Sequence, residues 1–153
     1  MENIRILSYR PEFQKYFESI NKEWLNAHFA IEPIDIEVLE NPERSILDNG
    51  GTIIFAELQG EIVGTVALRF QEKGVYEMTK MGVLPAAQGK KVGWALALAI
   101  LEQAKAMGGE KVVLYSSRKL VPAIGMYRKL GFQEVLPEEG KYSRCDIKME
   151  INL

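Results

Sequence analysis

One long helical segment enclosed by two apolar strands constrains this fold more than any other feature of the sequence. The segment Lys90–Met107 is rich in alanine and leucine, and it ends at Gly108-Gly109, a pair that suits a left-handed helix C-terminus. Val75–Leu84 precedes this segment and Lys111–Tyr115 follows it, both through short joints. Strand, helix and strand joined in this way form a crossover, so we predict that the two strands lie parallel in one sheet.

Further strands extend this sheet. Turn-like residues separate Thr52–Leu58, Ile62–Phe70 and Val75–Leu84, which predicts an antiparallel meander. Apolar or alternating segments predict three more strands: Asn3–Tyr9, Phe132–Leu136 and Arg144–Ile151. The expected fold class is therefore α/β (α+β), with a mixed sheet and helices on its faces.

The helices outside the crossover are also marked in the sequence. Pro11 suits the first turn of a helix, and apolar residues then recur at three- and four-residue steps on one face: Phe13, Tyr16, Phe17, Ile20 and Trp24. Residues 31–51 predict one or two short helical turns, broken at Pro42 and closed by a turn at Asn49-Gly50-Gly51. A last short helix is predicted from Pro122 to Gly131, and "EEGKYS" reads as an exposed loop.

Length and composition limit the classes of function. The 153 residues, of which 47% are hydrophobic, suit a single domain over residues 1–153. A formal net charge of −2 argues against a surface that coats nucleic acid or an anionic membrane. The single cysteine, Cys145, cannot form an intramolecular disulfide, and "MENIRILSYR" lacks the apolar core of a signal peptide. We therefore expect a cytoplasmic protein.

The stretch "GVLPAAQGKKVGWALA" passes from a strand into a glycine-punctuated basic turn and then into the long helix. The first amides of a helix have no intrahelical partner, and the helix dipole adds positive charge there. Gly89 and Gly93 let a phosphate approach closely, and Lys90 and Lys91 add two charges, so a pyrophosphate fits better than a carboxylate. From spacing alone, an ordinary strand-to-helix turn with two solvated lysines explains the stretch as well as a pyrophosphate site does. The P-loop and dinucleotide patterns are both missing.

Two motifs resemble those of a known family. "VLPAAQGKKVG" resembles the coenzyme A signature of the GCN5-related N-acetyltransferase (GNAT) superfamily: Gln88 and Gly93 fit its first and last positions, and Lys91 stands where the family usually has its middle glycine. "PAIGMYRKLGF" resembles the family's second hallmark, one strand later. The resemblance covers Gly74–Phe132 closely and says little about residues 9–50, where acceptors are usually met.

The resemblance implies a fold and an activity. The fold is the GNAT fold, a mixed, mostly antiparallel sheet of about seven strands, splayed between two parallel strands, with helices on both faces. The activity is transfer of an acetyl group from acetyl-CoA to a primary amine of a small molecule or peptide, by direct attack in a ternary complex. The alternative is a non-catalytic acyl-CoA-binding sensor of the same fold. We expect no metal and no nucleic-acid or membrane partner, and a homodimer is left open.

The resemblance also assigns residues to acetyl-CoA. Met81 and Val83 are expected to pair with the pantetheine arm, with the Val83 N–H facing the thioester oxygen. Ser117 is a weaker candidate in the turn after the second parallel strand. The pyrophosphate is assigned to the turn and helix start, made of Gln88, Gly89, Lys90, Lys91, Val92, Gly93 and Trp94. For Trp94, packing is favoured over binding.

Two residues are candidates for the chemistry. Tyr127 matches the family tyrosine that protonates the coenzyme sulfur, and the alternative is that its ring packs on the sheet. Glu77 matches the basic glutamate of some members, and strand alternation predicts one shared face for Glu77, Thr79, Met81 and Val83. The alternative for Glu77, slightly favoured, is an ion pair with a basic residue of a neighbouring strand, with water chains serving as the base.

Other polar residues carry weaker expectations. His28, at the end of the first long helix, is expected to be polar surface rather than a proton acceptor. Cys145 is expected to be a small buried hydrophobe on the final strand, and no Cys and His cluster predicts zinc. An acidic run is interpreted as a solvated helix face, in preference to an attractor of cationic amines; it comprises Glu32, Asp35, Glu37 and Glu40.

Overall fold

A single sheet of seven strands forms the frame of the molecule. The computed structural model describes residues 3–137 and 145–153. Its strands are β1 Ile4–Ser8, β2 Thr52–Leu58, β3 Glu61–Glu72, β4 Val75–Val83, β5 Lys111–Ser116, β6 Gln133–Val135 and β7 Ile147–Asn152. Their order across the sheet is β1-β2-β3-β4-β5-β7-β6, and every pair except β4 with β5 is antiparallel. The predicted mixed, mostly antiparallel sheet is confirmed.

Helices cover both faces of this sheet, as predicted. They are α1 Gln14–His28, α2 Pro33–Glu40, α3 Val92–Ala106 and α4 Val121–Leu130. Alternation along β2 sends Ile53 and Phe55 into one core cluster with α1 and α2, and Ile54 into the other cluster with α3 and α4. Within the first cluster, Phe17 is fully buried and Phe13 meets the Phe55 ring edge-on at 5.3 Å. The aromatic stripe predicted for the first helix is therefore part of a core.

The crossover β4-α3-β5 is confirmed, because β4 and β5 pair in parallel from Val75↔Lys111 to Glu77↔Val113. Helix α3 begins at Val92 rather than Lys90 because Lys91, its N-cap, takes a left-handed conformation. The predicted glycine stop is also present, since Gly108 has a φ of +87° directly after the helix.

The parallel pair separates soon after it forms. Beyond Glu77 and Val113, β4 continues to Val83 beside β3, whereas β5 continues to Ser116 beside β7. The separation leaves one edge of β4 facing β5 across a gap. This gap is the predicted opening of the sheet between its two parallel strands.

A bulge in β4 corrects one prediction about its side chains. The β3–β4 register jumps between Thr65 and Ala67, and the extra residue Lys80 has a φ of +56°. Met81 and Val83 consequently pack on the α3 side of the sheet, together with Tyr76 and Met78. Because Glu77 and Thr79 alternate with Tyr76 and Met78, they face the α1 side. The prediction that Glu77, Thr79, Met81 and Val83 share one face is therefore wrong.

The remaining predicted elements differ from the observed ones in their boundaries. The short helical turns expected within residues 31–51 are α2 and a π-helical turn at Glu43–Leu47, and Gly50 follows with a φ of +91°. The "EEGKYS" loop and Arg144 lie outside the described residues, and the last strand begins at Ile147. Over the described part of the chain, none of the helices combines the length and apolarity that crossing a membrane requires.

Candidate functional site

A cavity of about 590 Å³ occupies the gap between β4 and β5. On the α3 side of the sheet it is lined by the turn before α3 and by α4 residues such as Met126 and Tyr127. On the α1 side it is lined by Asn21, Trp24 and Leu25 of α1, and by Phe29 directly after that helix. One continuous space therefore joins the two faces of the sheet at the point where its parallel strands part.

The turn before α3 forms a concave group of amides at one end of this cavity. Gly89 and Lys91 have φ values of +80° and +65°, and the Ala95 N–H donates to the Lys91 carbonyl at 3.0 Å as the helix begins. By helix geometry, the amides of the three residues before Ala95 lack intrahelical acceptors. Because turns with left-handed residues can direct successive N–H groups to one point, this turn is a candidate anion-binding site.

Side chains of the turn differ in their relation to the cavity. Lys91 lines it, whereas the exposed Lys90 does not. The Gln88 side chain turns back and donates from Nε2 to the Val83 carbonyl at 3.3 Å. A Cβ added to Gly93 would lie 3.7 and 3.8 Å from the sulfurs of Met126 and Met81 and 3.9 Å from Met126 Cε, which is ordinary contact. Gly93 therefore faces two methionine side chains, both of which line the cavity.

The cavity brings together all of the predicted site residues except Lys90. Trp94, for which packing was favoured, lines the cavity at the start of α3, and Ser117 lines it from the turn after β5. The full set of predicted residues at the cavity is Glu77, Met81, Val83, Gln88, Gly89, Lys91, Val92, Gly93, Trp94, Ser117 and Tyr127. Residues from both sequence motifs therefore share one site.

Tyr127 lies half-buried on α4, and its ring packs edge-on against Phe132 with centroids 6.0 Å apart. It also lines the cavity, so packing and access to the site are combined in one side chain. Burial raises the pKa of the Tyr127 hydroxyl to about 12, which keeps it neutral across the physiological range. The site therefore holds a tyrosine that retains its proton.

Glu77 is 1% exposed and forms the cross-strand ion pair that the sequence favoured. Its Oε1 accepts hydrogen bonds from Arg69 Nε at 3.0 Å and from Arg69 Nη2 at 2.8 Å, and the two residues face each other in the β3–β4 register. Glu77 is also one of the residues that line the cavity. It is thus a fixed negative charge with a neutralising partner.

A second buried ion pair at the cavity was missed by sequence reasoning. Lys80 Nζ lies 2.9 Å from Asp35 Oδ1, and the two side chains are 6% and 0% exposed. The other Asp35 oxygen accepts from the Glu32 N–H at 2.9 Å, which completes a capping box at the start of α2. The spacing of Glu32, Pro33 and Asp35 signals that helix start, but no pattern joins Asp35 to a residue 45 positions later.

The acidic run is therefore only partly a solvated face. Glu37 and Glu40 pair near the surface with Arg44 and Lys22, and neither carboxylate lines the cavity. Asp35, by contrast, is fully buried, so the interpretation as a solvated helix face is wrong for this residue.

Two weaker candidates are also placed. His28 is exposed and does not line the cavity, as expected for polar surface, and its ring contacts that of Trp24 at a tilt of 45° with centroids 4.8 Å apart. Cys145 is half-buried and lines the cavity before β7 begins, so the prediction of a buried residue on the final strand is wrong. The chain enters β7 only at Ile147, which leaves Cys145 in the segment beside the gap.

Comparison of sequences points to one family. The family model described as the acetyltransferase (GNAT) family matches residues 7–132. A mycothiol acetyltransferase from Saccharomonospora viridis is 31% identical over 144 residues, which is 88% of this chain and 47% of that protein. The uncharacterized N-acetyltransferase YjgM of Escherichia coli is 38% identical over 82 residues, or 52% of this chain and 49% of that protein. The chain spans about half the length of these curated relatives.

Solved structures share the fold. A GNAT-family acetyltransferase from Staphylococcus aureus superposes with a TM-score of 0.87 at 23% identity, covering 98% of this chain and 99% of that chain. The yncA protein of Salmonella typhimurium, solved with its cofactor acetyl-CoA, has a TM-score of 0.78 at 19% identity, with coverages of 97% and 93%. At these identities the likeness establishes the fold alone.

Proposed function

The chain belongs to the acetyltransferase (GNAT) family, and from this premise we propose that it is an acetyl-CoA-dependent N-acetyltransferase. Its acceptor is the primary amine of a small molecule or peptide, which attacks directly while both substrates are bound. One observation carries the proposal: a single cavity joins an anion-binding turn, an open strand edge and a neutral tyrosine. The acetyl-CoA in the structure of the yncA protein supports the same co-substrate.

The residues present fit acetyl-CoA along the length of the cavity. The turn amides and Lys91 suit the pyrophosphate, because both supply positive potential to an anion. The β4 edge at Met81 and Val83 suits the amide-rich arm, which can pair there as a neighbouring strand would. The bound co-substrate supplies an activated acetyl group as a thioester. In this arrangement the Val83 N–H is assigned to the thioester oxygen.

The protein's chemical contribution is to position the reactants and to supply a proton. A C–N bond forms as the neutral amine attacks the thioester carbonyl, and the C–S bond breaks. Tyr127 donates its hydroxyl proton to the departing sulfur. The proton lost by the amine leaves through water, and solvent returns one proton to the Tyr127 oxygen, so the net products are an amide and a free thiol.

Glu77 is the remaining candidate base. Its two hydrogen bonds from Arg69 hold the carboxylate in place beside the cavity. We assign it to the end of a water chain that carries the amine proton away. This assignment combines the two alternatives left open by the sequence, in which either Glu77 or a water chain serves as the base. Glu77→Gln should then slow turnover while leaving coenzyme affinity unchanged.

The proposal is tested by measuring free thiol release from acetyl-CoA with a panel of amines, alongside direct binding of CoA. Gly93→Asp is the decisive variant, because an acid in the first helical turn does not oppose the helix dipole but repels a phosphate at the turn. We expect its affinity for CoA to fall at least ten-fold, and wild-type affinity would refute the site. Leu98→Ala, on the exposed face of α3, is the matched control.

The same experiment separates the enzyme from its alternative. An enzyme releases thiol in proportion to an added amine, and the acetylated amine can be detected by mass. A sensor module would show thermal stabilisation by acetyl-CoA and no thiol release with any amine. We place the protein in the cytoplasm, where the lone thiol of Cys145 would stay reduced.

A further inference from the structure

The α1 end of the cavity has an apolar and aromatic wall. Trp24 and Phe29 stand next to each other there, with ring centroids 5.8 Å apart and planes inclined by 43°. Leu25 is buried beside them, and Leu120 and Pro122 line the cavity at the start of α4. A group entering from this side therefore meets mainly carbon surface.

The aromatic wall is also held in place from the other side of the gap. Lys119, in the segment between β5 and α4, donates from Nζ to the His28 carbonyl at 2.7 Å. The same ammonium group lies 4.1 Å from the centroid of the Phe29 ring. These contacts link the end of α1 to the segment that leads into α4, which fixes the Phe29 ring before any acceptor arrives.

The acidic side chains beside this wall are paired with basic residues of the protein itself. Glu77 receives two hydrogen bonds from Arg69, and Lys80 pairs with Asp35 at 2.9 Å. The surface acids Glu37 and Glu40 do not line the cavity. A polycation binds best beside uncompensated carboxylates, and among the described residues that line the cavity the one carboxylate, that of Glu77, is paired with Arg69.

We propose that the acceptor is a small monoamine whose amino group is attached to an apolar aromatic or branched group, and that Trp24 and Phe29 bind that group. The inference rests on the proposed function and specifies its substrate class. The cavity of about 590 Å³ must also hold the thioester arm, which favours a small acceptor. Burial of the apolar group against Trp24 provides the affinity, since apolar surface leaves water.

An apolar acceptor site also explains how the nucleophile forms. An amine attacks only when it is neutral, and an apolar environment lowers the pKa of an ammonium group because it disfavours the charged form. Desolvation beside Trp24 and Phe29 would therefore deprotonate the acceptor without requiring a strong base from Glu77. The paired state of Glu77 is consistent with this role.

The test compares kcat/KM for 2-phenylethylamine and isopentylamine with that for spermidine, using thiol release. We expect the two monoamines to exceed spermidine by at least ten-fold. Trp24→Ala should raise KM for 2-phenylethylamine at least ten-fold with little change in kcat, and Trp24→Phe should restore most of the loss. Equal or better use of spermidine, or an unchanged KM in Trp24→Ala, would overturn the inference.

A binding measurement keeps the test informative when turnover is slow. Calorimetry of 2-phenylethylamine with the CoA-saturated protein should show binding, and Phe29→Leu should weaken it where Trp24→Ala does not fold. Leu98→Ala should leave binding unchanged. Failure of both monoamines to bind the CoA complex overturns the inference. Failure of CoA itself to bind contradicts the proposed function instead, so the two failures are distinguishable.

Discussion

The two ends of the cavity are constructed in different ways. The coenzyme half, which is the part that we assign to acetyl-CoA, comprises α4 and one contiguous segment from the β4 edge to the turn Gln88–Lys91, whose backbone is left-handed at Gly89 and Lys91. The acceptor half, which is the part that we assign to the amine and which comprises the end of α1 and the β4 bulge, is built from side chains with long-range contacts, such as that of Lys80 with Asp35 of α2. A site formed by the backbone of a short segment can be recognised from a sequence motif. A site formed by tertiary contacts between distant residues can be recognised only from the three-dimensional structure.

The largest expected effect comes from breaking the buried ion pair of the acceptor half. Asp35→Asn leaves the Lys80 ammonium buried beside a neutral partner, and removal of one member of such a pair costs about 3–5 kcal/mol. Urea unfolding in the presence and absence of CoA would measure this loss. The coenzyme turn does not depend on the pair, so the variant that remains folded should still bind CoA.

A surface pair provides the control for this prediction. Glu37→Gln removes the partner of Arg44, and both side chains are more than half exposed, so the free energy of unfolding should change by less than about 1 kcal/mol. A loss for Asp35→Asn no larger than that of Glu37→Gln would show that the buried pair does not stabilise the acceptor half.

Next in size is the loss of the proposed proton donor in the coenzyme half. Tyr127→Phe keeps the ring and its edge-on contact with Phe132 but removes the hydroxyl, so kcat should fall about 100-fold while CoA affinity is retained. Because burial raises the pKa of Tyr127 to about 12, the loss should be uniform from pH 6 to pH 10. Turnover against pH, with an amine that the wild type acetylates, measures it.

Tyr16→Phe, in α1 and outside the cavity lining, is the matched control for this variant and should keep wild-type turnover. Full turnover of Tyr127→Phe at every pH would mean that the hydroxyl only packs. A loss much smaller than 100-fold would assign the proton transfer to water.

The sequence predicts the coenzyme half better than the acceptor half, because local backbone geometry leaves a pattern in the sequence and long-range contacts do not. Glycines and apolar alternation located the crossover and its turn, because Gly89 and Gly108 supply left-handed backbone that the chain needs locally. The bulge at Lys80 was not predictable, because lysine has no preference for positive φ and only the β3 register fixes it. The position of Trp24 at the cavity likewise depends on how α1 packs on the opened sheet, which no local pattern records.

Alkaline pH should destabilise the protein through two tyrosines, Tyr127 in the coenzyme half and Tyr9 beside the core cluster under α1 and α2. Burial raises the pKa of Tyr127 to about 12, and burial together with the neighbouring Glu43 carboxylate raises the pKa of Tyr9 to about 12. An unfolded tyrosine titrates near 10, so the unfolded state loses its proton first. The stability is fully present below pH 10 and falls between pH 10 and pH 12, by at most about 1.4 kcal/mol per pH unit for Tyr127 and by less for Tyr9, which solvent partly screens.

Urea unfolding of Tyr9→Phe and Tyr127→Phe between pH 9 and pH 11 separates the two contributions. Each variant should lose stability less steeply than the wild type above pH 10. The effect would be confined to the coenzyme half if the slope of the free energy of unfolding against pH were unchanged in Tyr9→Phe and reduced in Tyr127→Phe. An unchanged steepness in both variants would contradict the prediction.

The smallest effect concerns the residue that departs from the family motif, where backbone and side chain are expected to act in opposite directions. Lys91 has a φ of +65° and a ψ of +22°, a conformation that costs an L-residue about 1 kcal/mol and glycine almost nothing. Lys91→Gly should therefore stabilise the free protein slightly. It should also weaken CoA binding by on the order of 1 kcal/mol at low salt, because one cation at the pyrophosphate is lost, and this difference should shrink as salt rises.

Lys91→Asn removes the charge but tolerates left-handed backbone, so it should show the same salt-dependent loss of CoA affinity and a smaller gain in the stability of the free protein. Lys90→Ala, outside the cavity lining, is the control. Equal or tighter CoA binding by Lys91→Gly at low salt would mean that the turn binds the pyrophosphate through its amides alone.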